Sequence, residues 1–163
     1  MRKGLVLATA FCVFALPAFG MGGNSGGYGG SMMRDSDPGN EAYATALRLI
    51  KHEKFAEAIP YLDTALEQRP KSADILNYEG YAHRMTGDYD ASLDYYNRAL
   101  AINPDHRGVH EYLGELYLQK KQPDKAQAEL AVLNRLCPSD CEEKDTLTAS
   151  IAKYQAANPA PAQ

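Results

Sequence analysis

Between Gly39 and Asp140 apolar side chains recur at steps of three and four, the spacing of one helical face, and short polar turns interrupt the pattern at regular points. In the middle of this stretch Ile75, Leu76, Gly80 and Ala82 share one helix, Thr86-Gly87-Asp88 turns the chain, and Leu93, Tyr96, Ala99 and Leu100 form the next stripe. Asn103-Pro104-Asp105 is expected to end that second helix and to cap the one that follows. The unit is a helical hairpin, and no segment reads as a strand.

The hairpin is repeated. Gly39 to Ser72, Ala73 to His106 and Arg107 to Asp140 align as three blocks of 34 residues. Proline returns at Pro70, Pro104 and Pro138, and Ala65, Ala99 and Leu133 stand five positions before it. The second and third blocks also share Tyr78 with Tyr112 and Gly80 with Gly114. A fixed period of this length marks a stacked array in which each unit contacts its neighbours. Gly80 and Gly114 are expected to let the two helices of a hairpin approach closely, and the tyrosines to fill the space between hairpins. The last unit leaves an apolar face that needs a cover. Residues 141–156 supply one, with Leu147, Ile151 and Tyr154 on one side. Asp140 is expected to start this capping helix, with Glu142 and Glu143 in its first turn where the helix dipole favours them.

These positions resemble the tetratricopeptide repeat family. The second block matches best, with Leu76, Gly80, Gly87, Tyr89, Ser92, Tyr96, Ala99 and Pro104 at signature places. The first contributes Ala42, Ala46, Phe55, Ala58, Leu62, Ala65 and Pro70; the third contributes Leu113, Gly114, Tyr117, Ala126, Leu130 and Pro138. The resemblance implies an all-α, right-handed superhelical solenoid of three helical hairpins, 39–72, 73–106 and 107–140, closed by the C-terminal capping helix. It also implies a concave groove lined by the first helix of each hairpin. Carried over by position, the groove would hold Tyr43, Leu47 and Lys51, then Asn77, Tyr81 and Arg84, then Glu111, Glu115 and Leu118. Tyrosine, asparagine and arginine combine contact area with hydrogen bonding, which suits recognition. Some members hold a chaperone's C-terminal carboxylate with lysine and asparagine. This chain has Tyr43, Leu47 and Tyr78 at those places, so that activity is not expected.

The ends differ in kind from the array. Arg2 and Lys3 precede an uncharged, mostly apolar run from Gly4 to Gly20 that finishes in small residues, the layout of a cleaved signal peptide over residues 1–20. A retained transmembrane helix needs about 20 apolar residues, and this run is shorter and broken by Pro17. Residues 21–38 form a glycine- and serine-rich leader without the Lys-Ser or Lys-Thr ending of a phosphate loop. Residues 157–163 read as a frayed tail. Losing Arg2 and Lys3 leaves 15 basic residues against 21 acidic, moving the formal charge from −4 to −6. That balance speaks against nucleic acid or an anionic membrane surface as a partner. Periplasmic or secreted localisation is the expectation.

Candidate chemistry is sparse. Glu79, His83 and His110 are polar where the family more often has a large apolar residue, and two imidazoles with a carboxylate could ligate zinc. A satisfied polar cluster between the second and third hairpins is the simpler expectation. The run His106-Arg107-Gly108-Val109-His110 lacks the glutamate of the zinc protease motif. No nucleophile elbow or Cys-His arrangement is present, so neither an enzyme nor a cofactor is expected, and no metal site is assigned. Cys12 leaves with the signal, and Cys137 and Cys141 remain as an even pair, which export favours as a disulfide. Two readings follow: an exported scaffold that binds a protein or peptide of the cell envelope through its groove, or a periplasmic thiol or metal accessory protein using Cys137 and Cys141. Self-association through an uncovered end is a third arrangement open to such an array.

Overall fold

The computed structural model describes residues 37–159. The segment 1–20 expected to be a signal peptide, the expected leader up to residue 36 and the last four residues of the tail lie outside them. Among the described residues there are seven α-helices and no strand. Helices α1 (Pro38–Lys51) and α2 (Phe55–Gln68), α3 (Ala73–Thr86) and α4 (Tyr89–Ile102), and α5 (Arg107–Gln119) and α6 (Pro123–Leu136) form three hairpins; α7 (Glu142–Ala157) follows. Each second helix also packs on the first helix of the next unit, and α7 packs on both α5 and α6. The result is a solenoid.

The turns explain why the helices break where they do. Within each hairpin one residue adopts the left-handed conformation at the same repeat position: Glu53 (φ 58°), Gly87 (φ 88°) and Lys121 (φ 59°). Only the middle turn uses glycine, which takes this conformation without steric cost. Asp37, Ser72 and Asp88 cap α1, α3 and α4, their side chains accepting from the backbone N–H of Gly39, Ile75 and Ala91. Proline follows two residues after the end of α2, α4 and α6, at Pro70, Pro104 and Pro138.

Two expected caps are displaced by one residue. Helix α5 is capped by His106, whose Nδ1 accepts from the Val109 N–H at 3.2 Å, not by Asp105. Asp105 sits too early, its own N–H donating to the Asn103 side chain at 3.2 Å. Helix α7 has Cys141 as its N-cap, without a side-chain cap bond. Asp140, expected in that role, has φ 47° and belongs to the preceding turn, whereas a capping residue needs negative φ.

The core divides into three consecutive clusters. Ala42, Ala46, Ala58, Leu62, Ala65, Ile75 and Ala82 form the first, and Leu76, Tyr96, Ala99, Val109, Leu113 and Leu116 the second. Leu118, Ala126, Leu133, Leu147 and Ile151 form the third, so α7 closes the apolar end of the array. Gly80 admits the fully buried Tyr96 ring of α4, and a methyl group there would run into it. Gly114 also faces the capping helix. A methyl group on Gly114 would lie 2.6 Å from both Leu147 methyls, so its nearest neighbour is α7. Leu130, which follows Tyr96 by one period, is only half-buried.

Candidate functional site

Helices α1, α3, α5 and α7 stand in one register, and their side chains build a shared face. Tyr43 meets Tyr78 edge to face at 6.0 Å, and Tyr81 stacks on Tyr112 at 4.7 Å. Phe55 of α2 buttresses Tyr81 at 5.5 Å. Arg84 lies over Tyr81 and Tyr112 at 5.3 and 5.8 Å, and Arg69 lies over Tyr43 at 5.3 Å. Burial, reinforced by Tyr78, pushes the Tyr43 hydroxyl up to about 12. Burial and the neighbouring Glu111 raise Tyr112 as well. These phenols stay protonated and can donate hydrogen bonds.

The nine positions carried over from the resemblance fall into three situations. Tyr43, Leu47, Tyr81, Glu111 and Glu115 are half-buried, with part of each side chain accessible. Asn77, Arg84 and Leu118 are buried, Leu118 within the third core cluster. Lys51 is exposed at the end of α1, one position past the register of Arg84 and Leu118; Ile50 is the residue in step with them and is half-buried.

Sequence reasoning missed where this face becomes concave and charged. A cleft of about 340 Å³ opens between α3, α5 and α7, lined by Asp74, Asn77, Tyr78, His106, Gly108, Glu111, Tyr112, Glu142, Glu143 and Thr146. The register explains it. Asp74, Gly108 and Glu142 are equivalent positions of three successive first helices, so a glycine sits between two carboxylates and leaves the gap. Asp74 bonds to His106 Nε2 at 2.9 Å, and Glu143 lies 3.7 Å from Arg107 Nε. Burial, then Glu115 and Glu143, push the Glu111 carboxyl up to about 7 despite Arg84. Asn77 is only 5% exposed and its Oδ1 has no hydrogen-bond partner. Extending the 34-residue register by one step to Glu142 would have signalled this cleft, but α7 reads from its apolar stripe only as a cover.

The polar trio does not come together. His110 Nδ1 lies 2.7 Å from Glu129 of α6 and its Nε2 lies 2.9 Å from the Pro104 carbonyl. Burial disfavours its charged form, yet these two acceptors outweigh that and raise its pKa. Glu79 is fully buried, 4.0 Å from His83 Nε2, and neither of its oxygens has a hydrogen-bond partner. Burial first, and the nearby Asp63 second, push its carboxyl up to about 8. Among the described residues no group of three or more His, Cys, Asp or Glu side chains is placed to hold a metal ion. Cys137 and Cys141 are buried, with Cα atoms 5.8 Å apart, a separation that suits a disulfide.

Comparison with known proteins gives the same architecture. Two tetratricopeptide repeat family models match residues 43–107 and 83–151, together two thirds of the chain. The chain is 28% identical over 108 residues to Protein FlbA of Caulobacter vibrioides, covering 66% of this chain and 18% of that protein. The Yersinia enterocolitica type III secretion chaperone SycD, in complex with a peptide of the translocator YopD, superposes with a TM-score of 0.63 at 17% identity, over 75% of this chain and 92% of SycD. The first tetratricopeptide repeat domain of Spaghetti (RPAP3), bound to the HSP90 peptide SRMEEVD, superposes with a TM-score of 0.63 at 17% identity, over 75% of this chain and 96% of that one. Period, hairpins, stacked tyrosines and matched models together make this chain a member of the tetratricopeptide repeat family.

Proposed function

We propose that this chain is an exported, non-enzymatic scaffold of the cell envelope, periplasmic in location, which binds a peptide or single helix of a partner protein along the face of α1, α3, α5 and α7. The observation that carries the reading is the aromatic series Tyr43–Tyr78 and Tyr81–Tyr112, held in place by Arg69 and Arg84 and continuous across three hairpins. Aromatic side chains pre-ordered in this way offer contact area at little further entropic cost. The peptide complexes of SycD and RPAP3 support the same use of this fold. An acidic ligand such as SRMEEVD would meet like charge at Glu111 and Glu142, so a different ligand chemistry is expected here. Export rests on the basic start and apolar run of residues 1–20.

Capture from envelope extract tests the reading. Tyr81→Ala should abolish capture of the partner, while Tyr61→Ala, at an exposed position of α2, should leave it intact. Equal capture by wild type and Tyr81→Ala would remove the face as the binding surface. For Cys137 and Cys141 we propose a structural disulfide in preference to a thiol or metal role, because burial of both sulfurs restricts attack by an incoming thiolate. Free-thiol counting on the unfolded protein before and after reduction distinguishes the two.

A further inference from the structure

The junction between the first and second hairpins holds an acid where the repeat elsewhere places a leucine. Glu79 of α3 stands one and two periods before Leu113 and Leu147, and all three side chains are buried. Its carboxyl is wholly shielded from water, and neither oxygen has a hydrogen-bond partner among the described residues. His83 Nε2 lies 4.0 Å away, beyond hydrogen-bonding range. A charge left unpaired in such a place is costly, so the junction is built for the neutral acid.

The elements packed around Glu79 surround it with ionisable groups that leave its charge unpaired. From α2, Asp63 repels the ionised carboxyl. On α3 itself His83 is engaged elsewhere: its ring stacks on Tyr95 of α4 at 5.2 Å, and its Nδ1 lies 3.5 Å from Asp88 in the turn. Tyr95 also faces the acid, its hydroxyl raised by burial and then by Glu79. Arg98 of α4 attracts Glu79 less strongly than Asp63 repels it, and it lies over the Tyr95 ring at 5.0 Å and 3.5 Å from Asp94. Opening the α2–α3 contact would return Glu79 to water, where it ionises as an ordinary carboxyl. The same junction carries the aromatic face: Tyr43 meets Tyr78 and Phe55 meets Tyr81 across it.

We propose that Glu79 is a proton-operated latch between the first and second hairpins. Its neutral carboxyl keeps α3 seated on α2. Loss of the proton favours local opening at this junction, which parts Tyr43 from Tyr78 and Phe55 from Tyr81 and divides the tyrosine face in two. The third hairpin and α7 lie beyond the latch and keep their packing. The latch does not depend on the face binding a peptide.

Amide exchange of the full-length protein, expressed as protection factors from about pH 5.5 to about pH 7.5, tests this. An opening that lets Glu79 release its proton becomes up to about tenfold more populated per pH unit between the ordinary 4.5 and the folded value of about 8. Protection in α2 and α3 should therefore fall by up to about a hundredfold over those two units. Glu79→Gln, uncharged at every pH, should lose most of that fall; Glu79→Met gives the same reading should the glutamine variant fail to fold. Glu111 and His110 stay in both variants, so the part of the pH dependence removed belongs to Glu79. That part should be absent from α6 and α7. An equal fall in the variants, no fall in wild type, or a Glu79-dependent fall as large in α6 and α7 as in α2 and α3 would overturn the latch.

Discussion

Three residues spaced by one repeat take the left-handed conformation, and only one of them is glycine. That makes the hairpin turn a natural experiment in backbone cost. Gly87 has nothing within 4 Å of where a Cβ would stand, so Gly87→Ala should lose about 1 kcal/mol through backbone conformation alone. Lys121→Gly should gain roughly 0.5–1 kcal/mol by relieving the same strain in the third hairpin. Urea unfolding measures both; equal and opposite shifts at these sites would confirm the turn, and a loss at Lys121→Gly would refute it. The repeat register makes the turn itself legible in the sequence, but the handedness at Glu53 and Lys121 is not, because neither residue type favours it.

Glu79 is the other residue whose environment governs a measurable property. Its folded pKa of about 8 lies above the ordinary 4.5, so between these values the native state holds a proton that the unfolded chain has released. Stability therefore falls as pH rises through this window and levels off above it. Glu111, at about 7, tilts the curve the same way. His110 adds to it, because stabilisation by its raised pKa is complete below 6.5 and is lost as pH rises through the folded value. Replacing the buried acid by an apolar isostere, Glu79→Met, should stabilise the protein at pH 8 by roughly 1–4 kcal/mol and flatten its pH profile. Wild-type stability that rose from pH 5 to pH 8 would contradict this assignment. The sequence marks Glu79 as unusual for its position, yet only the structure separates it from His110, which turns to Glu129 and Pro104.

Among the elements, α7 carries the most that sequence reasoning left unread. Its apolar stripe of Leu147, Ile151 and Tyr154 identifies a cover for the array, and those residues do join the third core cluster. Glu142 and Glu143 read as first-turn acids that suit the dipole; their second use, lining the cleft with α3 and α5, needs the register extended by one period. The displaced caps have a similar origin. His106 is a rare capping residue, and it earns the position through its second nitrogen, which reaches back to Asp74 of the preceding hairpin. Gly80 and Gly114 should respond differently to alanine: Gly80→Ala forces the buried Tyr96 ring and should cost roughly 1–3 kcal/mol of global stability. Gly114→Ala presses on Leu147 and should loosen α7 first, visible as faster amide exchange confined to that helix. If the Cys137–Cys141 disulfide forms, reduction should do the same, raising exchange in α7 and sparing α1 to α4. A uniform rise across all helices after reduction would contradict a local clamp.

At the scale of the molecule, a linear array divides its labour between faces. The second helices bury the hairpin contacts, and the first helices, with α7 among them, keep an ordered surface of tyrosines that becomes acidic toward the C-terminal end. The period alone makes the array and its three hairpins readable, because stacking repeats the same demand at every step. The proposed binding face is less so: Tyr43, Tyr81 and Glu111 follow from position, whereas the cleft arises from a single missing side chain at Gly108 and is visible only against its neighbours Asp74 and Glu142. The most direct measurement is an amide-resolved NMR titration with a peptide of the partner captured from envelope extract. Shifts concentrated on α1, α3, α5 and the start of α7 are the predicted result, and shifts concentrated on α2, α4 and α6 would contradict the account.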